Sequence, residues 1–522
     1  MKLSRLLKTV SGECSVLDVI RPGAAPFDPE IRSIHYDSGT VLPGGLFVAI
    51  RGSRNDGHDF ASQAVGRGAA AVVAERDVKV DAPVVRVTNS RAALALLSSA
   101  FYGVPASRLV MIGITGTNGK TTTSALIESV LAKAGFAVGV IGTGNFRYAG
   151  KRFANPLTTP ESVELQKTLD MMEKSGTTHV VMEVSSHGLA QQRVAGCSFD
   201  VRVFTNLTQD HLDFHGNMDS YWKCKKLLFA GPYAEGKKGV SVINCNDPRG
   251  VELFGELSGS NSVSVGFSDT CMVYPEKVTY DPAGIHATVV TPEGSVSIFS
   301  PLAGPYNLEN ILCAFGVGVA LGIALDTVKA GIEMFGGVPG RLERVVNNAE
   351  RFVFVDYAHT PDALANVLDA LGNVCTGRMI CVFGCGGDRD REKRPLMGKI
   401  AAEKADITVV TSDNPRSEDP DAIINDIVEG MEDSAQRVYE LSELNDHNTS
   451  GNHRYIIEPD RSLGIKCAVM ASMPGDVIII AGKGDETYQI FRDRIIDFDD
   501  RVEAVKALSE LENRQKGRMC AM

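Results

Sequence analysis

The chain alternates short apolar runs with longer amphipathic stretches over most of its length, and the spacing of the runs divides it into three parts. In residues 1–108, runs at 46–49, 70–73 and 84–87 alternate with helix-like stretches at 58–67 and 90–102, which predicts a small α/β unit. The second part, 109–340, opens on the buried-strand run 109–115, followed by a Gly-rich turn and a helix over 120–134. Further runs at 138–141, 179–184, 201–204 and 240–243 are separated by helical stretches. Unbroken apolar strands alternating with helices imply a parallel sheet covered on both faces. Between 263 and 300 the pattern changes to short alternating strands, broken by Asp281-Pro282-Ala283-Gly284 and Pro292-Glu293-Gly294, which predicts a β-rich flap or extra sheet. Helices return at 308–321 and 325–335, and Gly336-Gly337-Val338-Pro339-Gly340 suits a hinge. In the third part, 341–522, runs at 352–355, 379–383, 407–410, 455–458 and 477–480 alternate with helices, the pattern of a Rossmann-like doubly wound sheet. The expected class is α/β in three domains, the central one a mononucleotide-binding parallel sheet.

Composition narrows the picture. A chain of 522 residues exceeds what one core supports, and 44% apolar with 22% charged residues is ordinary for a folded protein. A net charge of -11 argues against a general nucleic-acid binder, which needs a basic footprint. The eleven cysteines include no Cys-x-x-Cys pair, which suits a reducing compartment rather than a disulfide scaffold or zinc site. Lys8 and Glu13 interrupt the opening residues, so no signal peptide is expected, and no apolar run is long enough to span a bilayer. A cytoplasmic protein without membrane insertion is expected.

The segment Gly116-Thr117-Asn118-Gly119-Lys120-Thr121-Thr122 lies between the strand at 109–115 and the helix at 120–134. Glycines let backbone N–H groups crowd an anion, and a helix N-terminus adds positive field. Lys120, at an exposed loop position, would reach the β/γ-phosphates of ATP, and Thr121 would hold Mg²⁺. Ile114 stands where the common phosphate loop has glycine, so this is a variant form. Polar residues cluster at later strand ends: Glu183-Val184-Ser185-Ser186-His187-Gly188, then Thr205-Asn206-Leu207-Thr208-Gln209-Asp210-His211-Leu212-Asp213. In an open α/β sheet such ends face one crevice, and the Glu183 carboxylate suits a hard cation. His211 and His215 have i,i+4 spacing, but no third soft ligand is spaced to complete a zinc site. No motif for a covalent protein nucleophile is present, and direct activation of a substrate by ATP needs none.

In order and spacing these motifs resemble the Mur ligases of peptidoglycan synthesis over nearly the whole chain. Gly304-Pro305-Tyr306-Asn307-Leu308-Glu309-Asn310, Pro339-Gly340-Arg341-Leu342-Glu343 and Asp356-Tyr357-Ala358-His359-Thr360-Pro361 extend the resemblance. So do Gly386-Gly387-Asp388-Arg389-Asp390, Lys393-Arg394-Pro395, Asp413-Asn414-Pro415-Arg416 and Gly482-Lys483-Gly484-Asp485-Glu486, typical of the branch that adds the third amino acid. The resemblance implies ATP-dependent addition of meso-2,6-diaminopimelate to UDP-N-acetylmuramoyl-L-alanyl-D-glutamate by a monomer with Mg²⁺. By motif, it implies that the UDP-dipeptide meets Ser38, Ser53, Arg54, Asn55, Thr158, Thr159, Ser185, Gln191 and Arg193. Adenine and ribose would meet Asn307, Asn310, Arg341 and Asp356, while diaminopimelate would meet Arg389, Asp413, Asn414, Pro415, Arg416, Gly482 and Glu486. The catalytic set would be Lys120, Glu183, His211, Lys225 and Arg341, and the metal set Thr121, Glu183, His211 and a carbamylated Lys225. On residue type alone, Lys225 in Tyr221-Trp222-Lys223-Cys224-Lys225-Lys226 fits a solvated basic helix face. Two positions depart from the family pattern: Gly39 follows Asp37-Ser38 where arginine is usual, and Asp485 replaces a usual histidine. A folylpolyglutamate synthase, which shares the phosphate loop, and a nucleotide-dependent switch or transport ATPase are the rival readings.

Overall fold

The computed structural model describes residues 1–8, 16–20, 28–52, 55–230, 237–257, 261–281, 283–372, 374–441, 443–445 and 453–520, with the side chains of 213 and 515–520 left aside. They pack as two compact units. One comprises Met1–Pro275, Val290–Gly294 and Glu309–Ile332, the other Glu276–Val289, Ser295–Leu308 and Glu333–Met522.

The first unit holds two sheets. A five-stranded sheet runs in the order Val16–Ile20, Val84–Val87, Ala71–Ala74, Gly45–Val48, Ser33–His35, parallel except for its first pair. The expected helix at 58–67 is a 3₁₀ turn, Gly57–Phe60, continued by the helix Ala61–Gly66. The helix Ser90–Phe101 starts where Asn89 Oδ1 accepts from the Ala92 amide at 3.0 Å, a side-chain cap on otherwise unpaired donors.

The second sheet of this unit has eight strands. Six parallel strands lie in the order Ser262–Val265, Val240–Asn244, Val201–Phe204, Val110–Thr115, His179–Glu183, Val138–Gly142. Every residue of His179–Glu183 and Val201–Phe204 is buried, as continuous apolar runs require. Phe199, Phe204, Trp222 and Phe229 form part of the packing around them. Two antiparallel strands, Gly144–Tyr148 and Lys151–Asn155, extend the sheet. The run at 263 was expected to begin the β-rich flap. The structure instead pairs Ser262–Val265 with Val240–Asn244 as the sheet's parallel edge, and the separate three-stranded sheet is Tyr274–Asp281, Gly284–Thr291, Gly294–Ser300. The chain places strands on one side of Val110–Thr115, then crosses to the other side at Val201–Phe204. That reversal is the switch point where ligands sit at strand carboxyl ends.

The second unit is built on a seven-stranded sheet in the order Glu343–Val345, Phe352–Asp356, Val477–Ala481, Met379–Phe383, Ile407–Val410, Arg454–Ile457, Gln436–Arg437, with only the first pair antiparallel. Side-chain alternation sends Phe354, Cys381, Phe383 and Ile479 to one face. Val353, Val355, Ile380, Val382, Ile478 and Ile480 go to the other, and helices cover both. A hairpin, Tyr488–Ile490 with Ile495–Asp497, follows the last long strand.

Candidate active site

Two glycines shape the loop after Val110–Thr115. A Cβ on Gly116 would overlap Thr205 Oγ1, and one on Gly119, at φ 83°, would overlap Asn310 Oδ1. The loop is moored to the next strand end. The Thr117 amide donates to Asn206 O at 2.9 Å, the Asn118 amide donates to Asn206 Oδ1 at 2.8 Å, and Thr205 Oγ1 donates to Asn118 O at 2.7 Å. The helix Lys120–Lys133 begins at this loop without a side-chain cap, so its first amides, those of Thr121 and Thr122 among them, face the place where an anion belongs. Lys120 is not the exposed lysine expected from the sequence. It is half-buried, and Nζ donates to Gly116 O at 3.0 Å and Thr117 O at 2.8 Å.

Glu183 ends the neighbouring strand almost fully buried. Its Oε2 accepts from Thr121 Oγ1 at 3.2 Å and from Thr143 Oγ1 at 3.0 Å. Gly142 must lack a side chain here, because a Cβ would overlap Glu183 Oε1. Carboxylate and hydroxyl oxygens are the donor types Mg²⁺ selects, so Thr121 and Glu183 fit that ion. Thr143 was missed from the sequence, although its place directly after a strand end was the available signal.

The solvated-face reading of Lys225 fails: the side chain is 1% exposed on the helix Met218–Lys226. Nζ donates to Gly116 O at 2.7 Å and lies 4.5 Å from the centre of the Tyr221 ring. Burial drives this amine well below the ordinary lysine range and the positive charge of Lys120 adds to the shift, against smaller opposing effects of Cys224 and Asp210. His211 is exposed, at φ 53°, with its ring edge-on to His187 at 4.9 Å and to Tyr221 at 6.2 Å. Lys225 and His211 therefore share Tyr221 as a neighbour, and Thr121 touches Glu183.

A third group adjoins Glu183. Thr159 Oγ1 donates to Glu183 O at 2.9 Å and pairs with Ser185 Oγ at 3.1 Å, while Thr158 Oγ1 pairs with Thr143 Oγ1 at 3.1 Å. Arg193 Nη1 donates to Thr159 O at 2.8 Å, and its other nitrogens donate to Gln191 Oε1 at 3.1 and 2.6 Å. Five of the residues expected at the UDP-dipeptide thus form one connected cluster. Ser38 lies elsewhere, its Oγ donating to Gln63 Oε1 at 2.7 Å, and Asn55 O accepts from the Gly52 amide at 2.9 Å. Ser53 and Arg54 lie outside the described residues. Gly39 is exposed and closes a turn onto Asp37 Oδ1 at 2.8 Å.

In the second unit, expected nucleotide and amino-acid residues meet at the carboxyl edge of the seven-stranded sheet. Asp356 Oδ2 accepts from the Leu342 amide and Oδ1 from the Ala358 amide, both at 2.7 Å, and burial makes its carboxyl a weaker acid, with its pKa pushed up despite these donors. Arg341 stacks 5.0 Å from the Tyr357 ring centre. Asn307 Nδ2 donates to Ala303 O at 2.8 Å. In the first unit, Asn310 Oδ1 accepts from Thr123 Oγ1 at 3.1 Å. Gly482, at φ 118°, lies against the buried Asp413, whose carboxyl is pushed up by burial. Asn414 Nδ2 donates to Glu486 Oε2 at 2.8 Å, and the fully buried Lys483 donates to that same oxygen at 3.0 Å. Lys483 was not singled out from the sequence, although its motif was. Arg416, half-buried at φ 51°, donates from Nη1 to Gly387 O at 2.8 Å, whereas Arg389 is exposed. Pro415 O packs against Gly387, which has no room for a side chain. Asp485 is exposed.

The pieces resemble known proteins in the same arrangement. Residues 30–102 match the family model "Mur ligase family, catalytic domain", 114–318 the "Mur ligase middle domain", and 340–484 the "Mur ligase, glutamate ligase domain". UDP-N-acetylmuramoyl-L-alanyl-D-glutamate--2,6-diaminopimelate ligase of Geobacter metallireducens is 46% identical over 494 residues, 94% of this chain and 96% of that one. A solved structure of a ligase of that name superposes with a TM-score of 0.71 at 32% identity, covering 92% of this chain and 95% of that one. MurF ligase from Thermotoga maritima in complex with ADP shares the fold, with a TM-score of 0.58 at 20% identity over 92% of this chain and 98% of that one. Among the described residues no helix is long and apolar enough to cross a membrane. Identity this high over nearly the full length of both chains, together with three family domains in register, makes this chain a member of the Mur ligase family.

Proposed function

We propose that this enzyme joins meso-2,6-diaminopimelate to the γ-carboxylate of UDP-N-acetylmuramoyl-L-alanyl-D-glutamate in the cytoplasm, with conversion of ATP to ADP and phosphate. One observation carries this: Glu183 receives the Thr121 hydroxyl on its side chain and the Thr159 hydroxyl on its backbone carbonyl, so the phosphate loop and the acyl-donor cluster adjoin at one strand end.

A carboxylate does not accept an amine directly, because its oxygen is a poor leaving group. An oxygen of the γ-carboxylate attacks the terminal phosphorus of ATP, the bond to ADP breaks, and an acyl phosphate forms. The amine of diaminopimelate then attacks the acyl carbon, phosphate departs, and the nitrogen gives up its proton. Two anions must approach in the first step, so catalysis rests on charge neutralisation and positioning. Lys120 exchanges its contacts with loop carbonyls for the β/γ-phosphates, and the first amides of its helix cradle them. Lys225 captures CO₂ as a carbamate, since burial lowers the amine's proton affinity and makes its lone pair more readily available, and the product is an oxygen ligand. Thr121 and Glu183 would hold one Mg²⁺, and the Lys225 carbamate with His211 a second; these ions would supply positive charge against the phosphates. Arg341, set against the Tyr357 ring, assists with its positive charge. Residues 1–108 take the UDP moiety, 109–340 ATP and 341–522 the amino acid, and Thr158, Thr159, Ser185, Gln191 and Arg193 hold the dipeptide.

Acceptor choice is a matter of charge. Diaminopimelate carries a second carboxylate where lysine has none, and a guanidinium grips a carboxylate with two parallel hydrogen bonds. Arg416 provides that grip, and L-lysine would leave it without a partner. The test is phosphate release with each substrate omitted in turn and each acceptor tried separately. Release only with UDP-dipeptide and meso-diaminopimelate together supports the reading; release with L-glutamate on a folate acceptor would move the chain to the folylpolyglutamate branch.

A further inference from the structure

Glu161 occupies the N-cap of the helix Ser162–Lys174, with φ -62° and ψ 156°, yet its side chain caps nothing. Short oxygen-bearing side chains are favoured at that position because they reach the first free amides. Here the carboxylate is committed elsewhere. It pairs with Arg193 Nε at 2.9 Å through Oε1, and Oε2 faces Arg91 Nη1 at 3.8 Å. The second separation is an ion pair too long for a hydrogen bond, and both of its atoms are buried without one. Arg91 also donates from Nη2 to Arg51 O at 3.3 Å. One turn along the helix, Glu164 accepts a hydrogen bond from Tyr36. The helix start therefore binds residues of the N-terminal α/β part, Tyr36 and Arg91, and Arg193 of the acyl-donor cluster.

Charge explains the arrangement. Burial lowers the proton affinity of Arg193, Glu161 raises it, and the nearby Arg91 lowers it again. Two guanidiniums, those of Arg193 and Arg91, share the Glu161 carboxylate, which holds both beside the dipeptide cluster. Building on the function above, we infer that Glu161 is a positioning residue for the UDP-dipeptide. It fixes the plane of Arg193 against Thr159 and Gln191, and through Arg91 it sets the segment at Arg51 relative to that cluster.

Two substitutions separate positioning from a merely structural role. Glu161→Gln keeps the size and removes the charge; Glu161→Ser removes the carboxylate and installs a favoured helix cap. Both are expected to raise KM for the UDP-dipeptide about tenfold, with kcat within about threefold and KM for ATP and diaminopimelate unmoved. In an Arg193→Lys background the Gln substitution should add less than about a twofold change, because its partner is already altered. An unmoved KM for the UDP-dipeptide, an equal rise in all three KM values, or full additivity with Arg193→Lys overturns the inference. The wild-type control keeps the two ideas apart: absence of turnover with the UDP-dipeptide in the unsubstituted enzyme overturns the function, whereas turnover with KM unmoved in both variants overturns only the role of Glu161.

Discussion

Lys225→Met should stabilise the protein at pH 7 while ending turnover. The substitution removes the hydrogen bond to Gly116 O, worth about 1 kcal/mol, but that carbonyl keeps Lys120 at 3.0 Å and is not orphaned. It also removes the contact with the Tyr221 ring, worth up to about 2 kcal/mol when desolvated. Against these stands the cost of holding an ammonium away from water at 1% exposure, several kcal/mol, together with repulsion from Lys120. Methionine fills similar volume without that cost, so a net gain on the order of 1 kcal/mol is expected at pH 7. The sign with pH follows from the lowered proton affinity. The unfolded chain binds this proton more tightly than the folded one, so the wild type loses stability as pH falls from 10.5 toward the folded value. The advantage of methionine is therefore largest near neutrality and shrinks as pH approaches 10.5. Thermal melts at pH 7 and 9.5, in buffer free of Mg²⁺ and bicarbonate, measure it, and phosphate release measures the loss of turnover, expected to exceed about a hundredfold. A lower melting temperature for the variant at pH 7, a gain that grows with pH, or retained turnover would refute the reasoning.

Lys120→Ala should cut phosphate release about a thousandfold while lowering the melting temperature by no more than about 4 °C, because the hydrogen bonds it gives up to Gly116 O and Thr117 O lie in a half-buried loop; wild-type release would remove the phosphate-loop assignment. Arg416→Ala should raise KM for meso-diaminopimelate roughly a hundredfold and leave ATP binding alone, as expected for a lost charged pair; calorimetric titration of each ligand decides it. Glu418 accepts two hydrogen bonds from Arg394, at 3.1 and 2.9 Å, and Arg394 holds its carboxyl down at about 2. Its stabilisation is complete above the unfolded value of 4.5 and is lost as pH falls through about 2. Glu418→Gln should therefore flatten the acid limb of stability between those values, and an unchanged acid limb in denaturant melts would count against that brace.

The central strands were legible because burial on both faces leaves an unbroken apolar run, as in Val-Val-Met before Glu183. Gly144–Tyr148 and Lys151–Asn155 were not, since Asn145, Arg147, Lys151 and Arg152 give them no apolar periodicity. The edge strand Ser262–Val265 was seen as a run but assigned to the wrong sheet, because a short apolar run does not name its neighbour. At the site, residue type and motif order led to Lys120, Thr121 and Glu183 directly. The burial of Lys225 was hidden because Lys223 and Lys226 beside it give the helix a solvated look, and only the fold puts the middle lysine beneath Gly116. Glu161 was passed over for a similar reason: a glutamate before a helix resembles ordinary first-turn acid until its partners are known.

Transfer of oxygen tests the central claim most directly. With ¹⁸O placed in the γ-carboxylate of the UDP-dipeptide, the enzyme should release phosphate carrying one heavy oxygen for each amide formed, and the UDP product should gain one diaminopimelate. Phosphate free of the label, or heavy oxygen found in a nucleotide, would contradict an acyl phosphate made by this chain.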